Sequence, residues 1–223
     1  MSENEFESVL ASIEDWTAKA GKSTRDSDAP TALTVSCLMS NCTHSGPLWP
    51  IEASWRVFSV QTLGNQTQER YDGETGLDSD LVQLTTQHDI ETVLVVGHTG
   101  CVVLNDAYER WIAPGVESHA GIEAKFSPLV SVVEDAFEAD LFEKSMPLQK
   151  IRHRLVEYNV VRQTAFLERE LPASVKTVGY VYDQDGAYSS FPDTQYLVAL
   201  DGETDPTEMR DHLADDTRVR IAS

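Results

Sequence analysis

Val93-Leu-Val-Val-Gly97-His98-Thr-Gly-Cys101 is the stretch from which the fold can be read. Thr92 to Val96 is a nearly continuous apolar run rich in β-branched residues, the pattern of a strand buried on both faces, and Gly97 ends it. A strand of this kind delivers His98 and Cys101 to the crevice at the carboxyl edge of an α/β sheet, where such folds bind ligands. An imidazole and a thiolate three residues apart reach one tetrahedral metal, at roughly 2.0 to 2.1 Å to nitrogen and about 2.3 Å to sulfur. By itself a Gly-His-x-x-Cys segment is more often a buried histidine beside an inert buried thiol.

Ala32-Leu-Thr-Val-Ser-Cys37 changes that reading, because it is a second apolar run ending on a cysteine. Two parallel strands bring Cys37, His98 and Cys101 to the same sheet edge, a donor set of the softness that selects Zn²⁺. Around these residues the chain resembles the β-class carbonic anhydrases, whose zinc sits on a Cys, a His and a Cys at these strand ends. Phe58 to Asn65, ending Leu-Gly-Asn, is similar to that family's Phe-Val-x-Arg-Asn-Ala-Gly-Asn strand. Asn159-Val-Val-Arg-Gln163 through Leu167 resembles its Asn-Val-x-x-Gln helix, and Val178-Gly-Tyr-Val-Tyr-Asp183 its late Gly-x-x-Tyr-Asp strand. The resemblance spans about residues 32 to 190. It implies an α/β fold with a central, mostly parallel sheet flanked by helices, and an N-terminal helix lying across a dimer partner. It also implies reversible hydration of CO₂ to bicarbonate by zinc-activated hydroxide.

The second half of the family's first motif is absent. Where the family has Cys-x-Asp-x-Arg, this chain reads Cys37-Leu38-Met39-Ser40-Asn41, so Met39 and Asn41 stand at the positions of the Asp–Arg pair. Val102 replaces the glycine that usually follows the second cysteine, and Gln61 replaces the arginine of the Arg-Asn-Ala-Gly-Asn stretch. In the family the aspartate accepts a hydrogen bond from the attacking hydroxide and the arginine holds the aspartate. Met39 cannot accept such a bond with comparable strength, and Asn41 has no charge with which to hold a carboxylate.

Three functions are compatible with a zinc site of this kind. A carbonic anhydrase can recruit another acceptor, for which Asp106, His44, Ser40 or a partner-chain group are candidates. A related zinc enzyme can act on a thio analogue such as COS or CS₂, admitted by a less polar pocket with Met39 and Val102. A non-catalytic descendant can keep zinc for structure or binding. Cys42 and His44 bear on this choice, because closed structural sites use Cys₂His₂ and Cys₃His sets and either residue can supply a fourth ligand. The plainer reading makes Cys42 a small buried hydrophobe and His44 a solvated loop residue. A Cys37–Cys42 redox pair conflicts with Cys37 as a ligand.

Lysine and arginine number 17 against 37 aspartates and glutamates, a formal net charge of −20. That balance repels nucleic acid and anionic membranes and argues against both as partners. It also points to a protein adapted to high salt, where charges are screened beyond about 3 Å at 1 M. The N-terminus has neither a basic region nor an apolar signal core, no stretch is long enough for a membrane span, and three cysteines make no even disulfide framework. A cytoplasmic location is expected. A length of 223 residues suits one α/β domain over 1–223.

In chain order, Phe6, Val9, Leu10, Ile13 and Trp16 predict an amphipathic helix over about 5–20. Residues 38–50 read as a loop or short helix, Arg56 to Leu63 as a strand, 66–76 as an exposed loop and Asp78 to Gln87 as a helix. Helices are expected over 102–111, 128–144 and from Pro147 to about Pro172. Asn159, Gln163 and Leu167 share one face of the last helix. Lys176 to Tyr182 reads as a strand, with Ala187 to Phe191 its returning partner and 196–200 one more short strand. The acidic tail, about 201–223, reads as mobile or packed on the surface.

Two outcomes follow from composition and periodicity. The midpoint of unfolding should rise from dilute buffer to molar KCl if the acidic surface is a salt adaptation; a flat response would remove that reading. Deleting residues 1–20 should convert a dimer, measured by light scattering, to monomer or aggregate, because the Phe6–Trp16 stripe is better buried by a partner than exposed, at roughly 25 cal/mol per Å². An unchanged mass would overturn that assignment.

Overall fold

The computed structural model describes residues 29–39, 55–71, 73–115, 119–189, 194–213 and 219–222. The expected N-terminal helix, and with it the dimer contact, lies outside these residues, as does most of the 38–50 segment.

β1 (Thr31–Cys37) and β2 (Arg56–Thr62) are followed by a 3₁₀ turn at Leu63–Asn65 and then by β3 (Gln68–Tyr71) and β4 (Glu74–Leu77). Next come α1 (Ser79–Gln87), β5 (Thr92–His98), α2 (Val102–Ile112), α3 (Ala120–Glu138) and α4 (Leu148–Glu170). The chain continues with β6 (Lys176–Asp183), β7 (Thr194–Leu200) and α5 (Pro206–Asp211). The main sheet has the order β2-β1-β5-β6-β7, parallel except for β7, which runs antiparallel to β6.

The expected two-sided burial of the central strands is present. Leu33, Val35, Val93 and Val95 join the main core beneath the helices, whereas Ala32, Leu94 and Val96 form a second apolar cluster with Trp55, Val178 and Tyr180. Alternate residues of one strand point to opposite faces, so a strand covered on both sides is mostly apolar, and the buried Thr34 of β1 is satisfied by the Ser59 hydroxyl. Ser36 pairs with Val96, which makes β1 and β5 end together. α4 lies directly on β5 and β6 at two glycines. A Cβ on Gly97 would come within 2.7 Å of Val160 Cγ2, and one on Gly179 within 2.8 Å of Val160 Cγ1. Glycine inside a strand here marks close approach of another backbone.

Several boundaries differ from expectation. Gln68–Tyr71 and Glu74–Leu77 pair as antiparallel strands rather than forming an exposed loop, and Gln66 and Thr67 before them are buried. Asp78 caps α1, accepting from the Asp80 N–H, and is not itself helical. α3 begins eight residues before Pro128, with the His119 Nδ1 accepting from the Gly121 N–H, and carries the proline inside it. It ends at Glu138 instead of Lys144. Asp140 takes φ 55° and the chain turns back to seat Phe142 edge-on against Tyr108 and Trp111. The partner of β6 is Thr194–Leu200, not Ala187 to Phe191; 187–189 is bend.

The tail is built into the fold where it is described. Asp205 caps α5, Met209 is buried, and Leu197 bridges to Ile221. Among the described residues no helix is long and apolar enough to cross a membrane.

Candidate metal centre

β1 ends on Cys37, β5 ends on His98, and the turn after β5 places Cys101 at the N-cap of α2. Gly100 makes that turn with φ 71°, a conformation that L side chains rarely adopt. All three donors are buried, and their ligand atoms lie within 4.8 Å of one another. The two sulfurs are 3.9 Å apart and the thiols are free. Two sulfurs each about 2.3 Å from one tetrahedral ion stand about 3.8 Å apart, so the pair fits zinc.

The imidazole fits as well. His98 Nδ1 lies 3.0 Å from the Thr99 carbonyl oxygen, which can only accept, so Nδ1 carries the proton. That leaves the Nε2 lone pair free, and Nε2 is buried without a hydrogen-bond partner. A buried polar atom with no partner is costly, and a metal ion resolves it. Cys37, His98 and Cys101 are therefore able to hold a soft divalent ion.

The thiols divide their protons unequally. Hydrogen bonding from the Cys101 thiol holds Cys37 well below the ordinary thiol range, against the opposing effect of burial. The same bond and burial push Cys101 up, although the N–H groups of Val103 and Leu104 at the start of α2 favour its thiolate. The hydrogen bond between the two sulfurs therefore favours ionisation of Cys37 over Cys101.

Thr99 carries a second layer of support that the sequence reading did not single out. Its hydroxyl donates to Asp183 Oδ1 at 3.4 Å and accepts from the Gln184 and Asp185 N–H groups at 2.8 and 3.1 Å. Asp183 is fully buried and also accepts from the Ala187 and Tyr188 N–H groups at 2.8 and 3.0 Å. The carbonyl that orients His98 is thus anchored to the loop after β6. The only sequence signal was a threonine between two ligands and an aspartate at a strand end.

Leu38 is 57% exposed, Met39 51% and Val102 43%, an apolar set flanking the two cysteines in sequence. Asp106 is an exposed residue of α2, and no aspartate or glutamate among the described residues joins the ligand group. Ser40, Asn41, Cys42 and His44 lie outside the described residues. Asn159 and Gln163 are both fully buried, on one face of α4 as their spacing implies.

Because the hydrogen bond between the sulfurs favours ionisation of one thiol, binding of Cd²⁺ at neutral pH should release fewer than two thiol protons per ion. Cadmium is chosen because it acidifies water less than zinc does. Calorimetry in buffers of different ionisation enthalpy counts the protons, and release of two would show that neither thiol is ionised beforehand.

No family model and no curated protein matches the sequence. Solved structures do match the fold. A tetrameric β-carbonic anhydrase from the filamentous ascomycete Sordaria macrospora superimposes with a TM-score of 0.58 at 18% identity, over 81% of this chain and 93% of that one. For the β-carbonic anhydrase CafA of the fungal pathogen Aspergillus fumigatus the TM-score is 0.59 at 19% identity, over 93% and 96%. The β-carbonic anhydrase of Coccomyxa, in complex with acetazolamide, gives 0.54 at 20% identity, over 78% and 80%. The chain has the fold of the β-carbonic anhydrases.

Proposed function

We propose that this chain is a zinc-dependent, carbonic-anhydrase-like protein that hydrates CO₂ reversibly to bicarbonate, with activity depressed by Met39 and Asn41. The observation that carries this reading is the convergence of two free thiols and the unpartnered His98 Nε2 at the carboxyl edge of a sheet of this fold. Zinc, when bound, supplies a Lewis acid that makes water nucleophilic near neutral pH. Cys37 and Cys101 as thiolates balance the ion's charge. The Nδ1–H bond to the Thr99 carbonyl holds His98 in the tautomer that presents Nε2. What is missing is an oriented acceptor for the attacking water, since the Met39 thioether is a weak one. Asp106 is our candidate for that role, one turn beyond Val102 on the exposed side of α2. The assembly we assign is a homodimer or higher homo-oligomer, in the cytoplasm of a salt-adapted cell. The domain we assign is one, over 1–223.

A second reading is a zinc protein without turnover. It is favoured by the absence of any carboxylate from the ligand group among the described residues.

CO₂ hydration measured by stopped flow separates the two. Wild type should be slow, because losing one positioned polar partner at a reacting centre commonly costs on the order of 10² to 10³ in rate. Met39→Asp with Asn41→Arg should recover much of that factor at unchanged zinc content. Fast wild-type hydration that falls on Asp106→Asn would support Asp106 as the acceptor. No hydration by wild type or by the double variant, with zinc retained, would leave the non-catalytic reading.

A further inference from the structure

Asp183 ends β6 as a fully buried carboxylate, and none of its partners among the described residues is a cation. A buried charge without an opposite charge is costly, so it persists only where hydrogen-bond donors take its place. Three donors do so here. Oδ1 accepts from the Ala187 N–H at 2.8 Å and from the Thr99 hydroxyl at 3.4 Å, and Oδ2 accepts from the Tyr188 N–H at 3.0 Å. The two N–H bonds draw the chain after β6 back onto its own start. The hydroxyl bond leaves that segment for the turn between His98 and Cys101.

The direction of the hydroxyl bond is fixed by the other partners of Thr99. The Gln184 and Asp185 N–H groups reach the same oxygen, at 2.8 and 3.1 Å, and an N–H can only donate, so the hydroxyl proton is left for Asp183. Thr99 is itself fully buried, and its own N–H donates to the Tyr182 carbonyl at 2.9 Å. Main chain and side chain of Thr99 are therefore both held by β6 and the residues that follow it. Its remaining polar group is the carbonyl, 3.0 Å from His98 Nδ1. The holding segment is fastened in turn to α4, where the Tyr188 hydroxyl donates to Glu157 Oε2 at 2.7 Å. From the same segment Asp185 lies against the ligand turn, and a Cβ on Gly100 would come within 3.2 Å of its Oδ2.

We infer that Asp183 is a positioning residue for His98: through the Thr99 hydroxyl it fixes the carbonyl that holds the imidazole in the orientation and tautomer that leave Nε2 free for a metal. The inference rests on the zinc reading above and gives that site a support drawn from β6, a strand outside the ligand group. A ligating histidine is oriented by the bond its other nitrogen makes, and losing such a support typically weakens metal binding about 10–100-fold.

The test uses the full chain, stripped of metal and titrated with Co²⁺ in competition with a chelating dye. Asp183→Leu, close in shape but without the oxygens, should bind Co²⁺ about 10–100-fold more weakly and alter the ligand-field bands, which report the arrangement of donors around the ion. Thr99→Val, which removes the hydroxyl alone, should act in the same direction, and Thr99→Ser, which keeps it, should restore wild-type affinity and bands. These two variants carry the test where Asp183→Leu does not fold. A purely structural carboxylate would give Asp183→Leu a lower unfolding midpoint in the metal-free state with wild-type cobalt affinity and spectrum, which would overturn the inference. Equal affinity and bands across wild type, Thr99→Val and Thr99→Ser would likewise overturn it while leaving the metal site standing. A wild-type chain that binds neither Co²⁺ nor Zn²⁺ would remove the zinc reading and the inference with it.

Discussion

The seating of α4 on the sheet is the contact on which the rest of the structure depends. Val160 occupies the space left by two missing side chains, Gly97 on β5 and Gly179 on β6, and so brings the helix backbone down onto the two strands. Interiors are packed at crystal-like density, and a Cβ at either glycine would have to displace the helix. The consequence extends along α4. With Val160 fixed, Asn159 and Gln163 fall at the height of the Leu63–Thr67 loop, within hydrogen-bond reach of Gly64 and Thr67. One helix thereby packs on the sheet, and its polar residues hold the loop that follows β2.

The metal centre inherits its order from these supports. Cys37 is hydrogen-bonded to Cys101, Cys101 sits at the N-cap of α2, and His98 is oriented by a carbonyl whose residue is tied to Asp183. Two buried thiols and a buried imidazole nitrogen without a partner are an unfavourable arrangement for a protein interior unless a cation completes it. The Cys37, His98 and Cys101 donors are thus well supported, while the residues beside the cysteines offer little to direct a reaction: Leu38, Met39 and Val102 are apolar and exposed. A centre of this kind can bind metal firmly and still be a poor catalyst, because binding depends on the donors and turnover on a positioned acceptor.

The sequence by itself determined the two central strands and the meeting of Cys37, His98 and Cys101 at their ends. Runs buried on both faces are predominantly apolar, and a cysteine or histidine ending such a run stands out against it. The i, i+4 spacing of Asn159 and Gln163 likewise identified a shared helix face. Tertiary structure alone decided the rest. The 68–77 hairpin is polar and short and has no alternation to read, so its pairing becomes visible only with its two strands in register. Pro128 reads as a helix start because proline is tolerated in the first turn, yet α3 passes through it. The end of that helix was decided by the pocket of Tyr108 and Trp111 that draws Phe142 back. The roles of Thr99, Asp183, Gly64 and Thr67 were likewise out of reach of a linear reading. Each acts through a hydrogen bond to a residue far away in sequence or to backbone, and a one-dimensional pattern records neither distance nor direction.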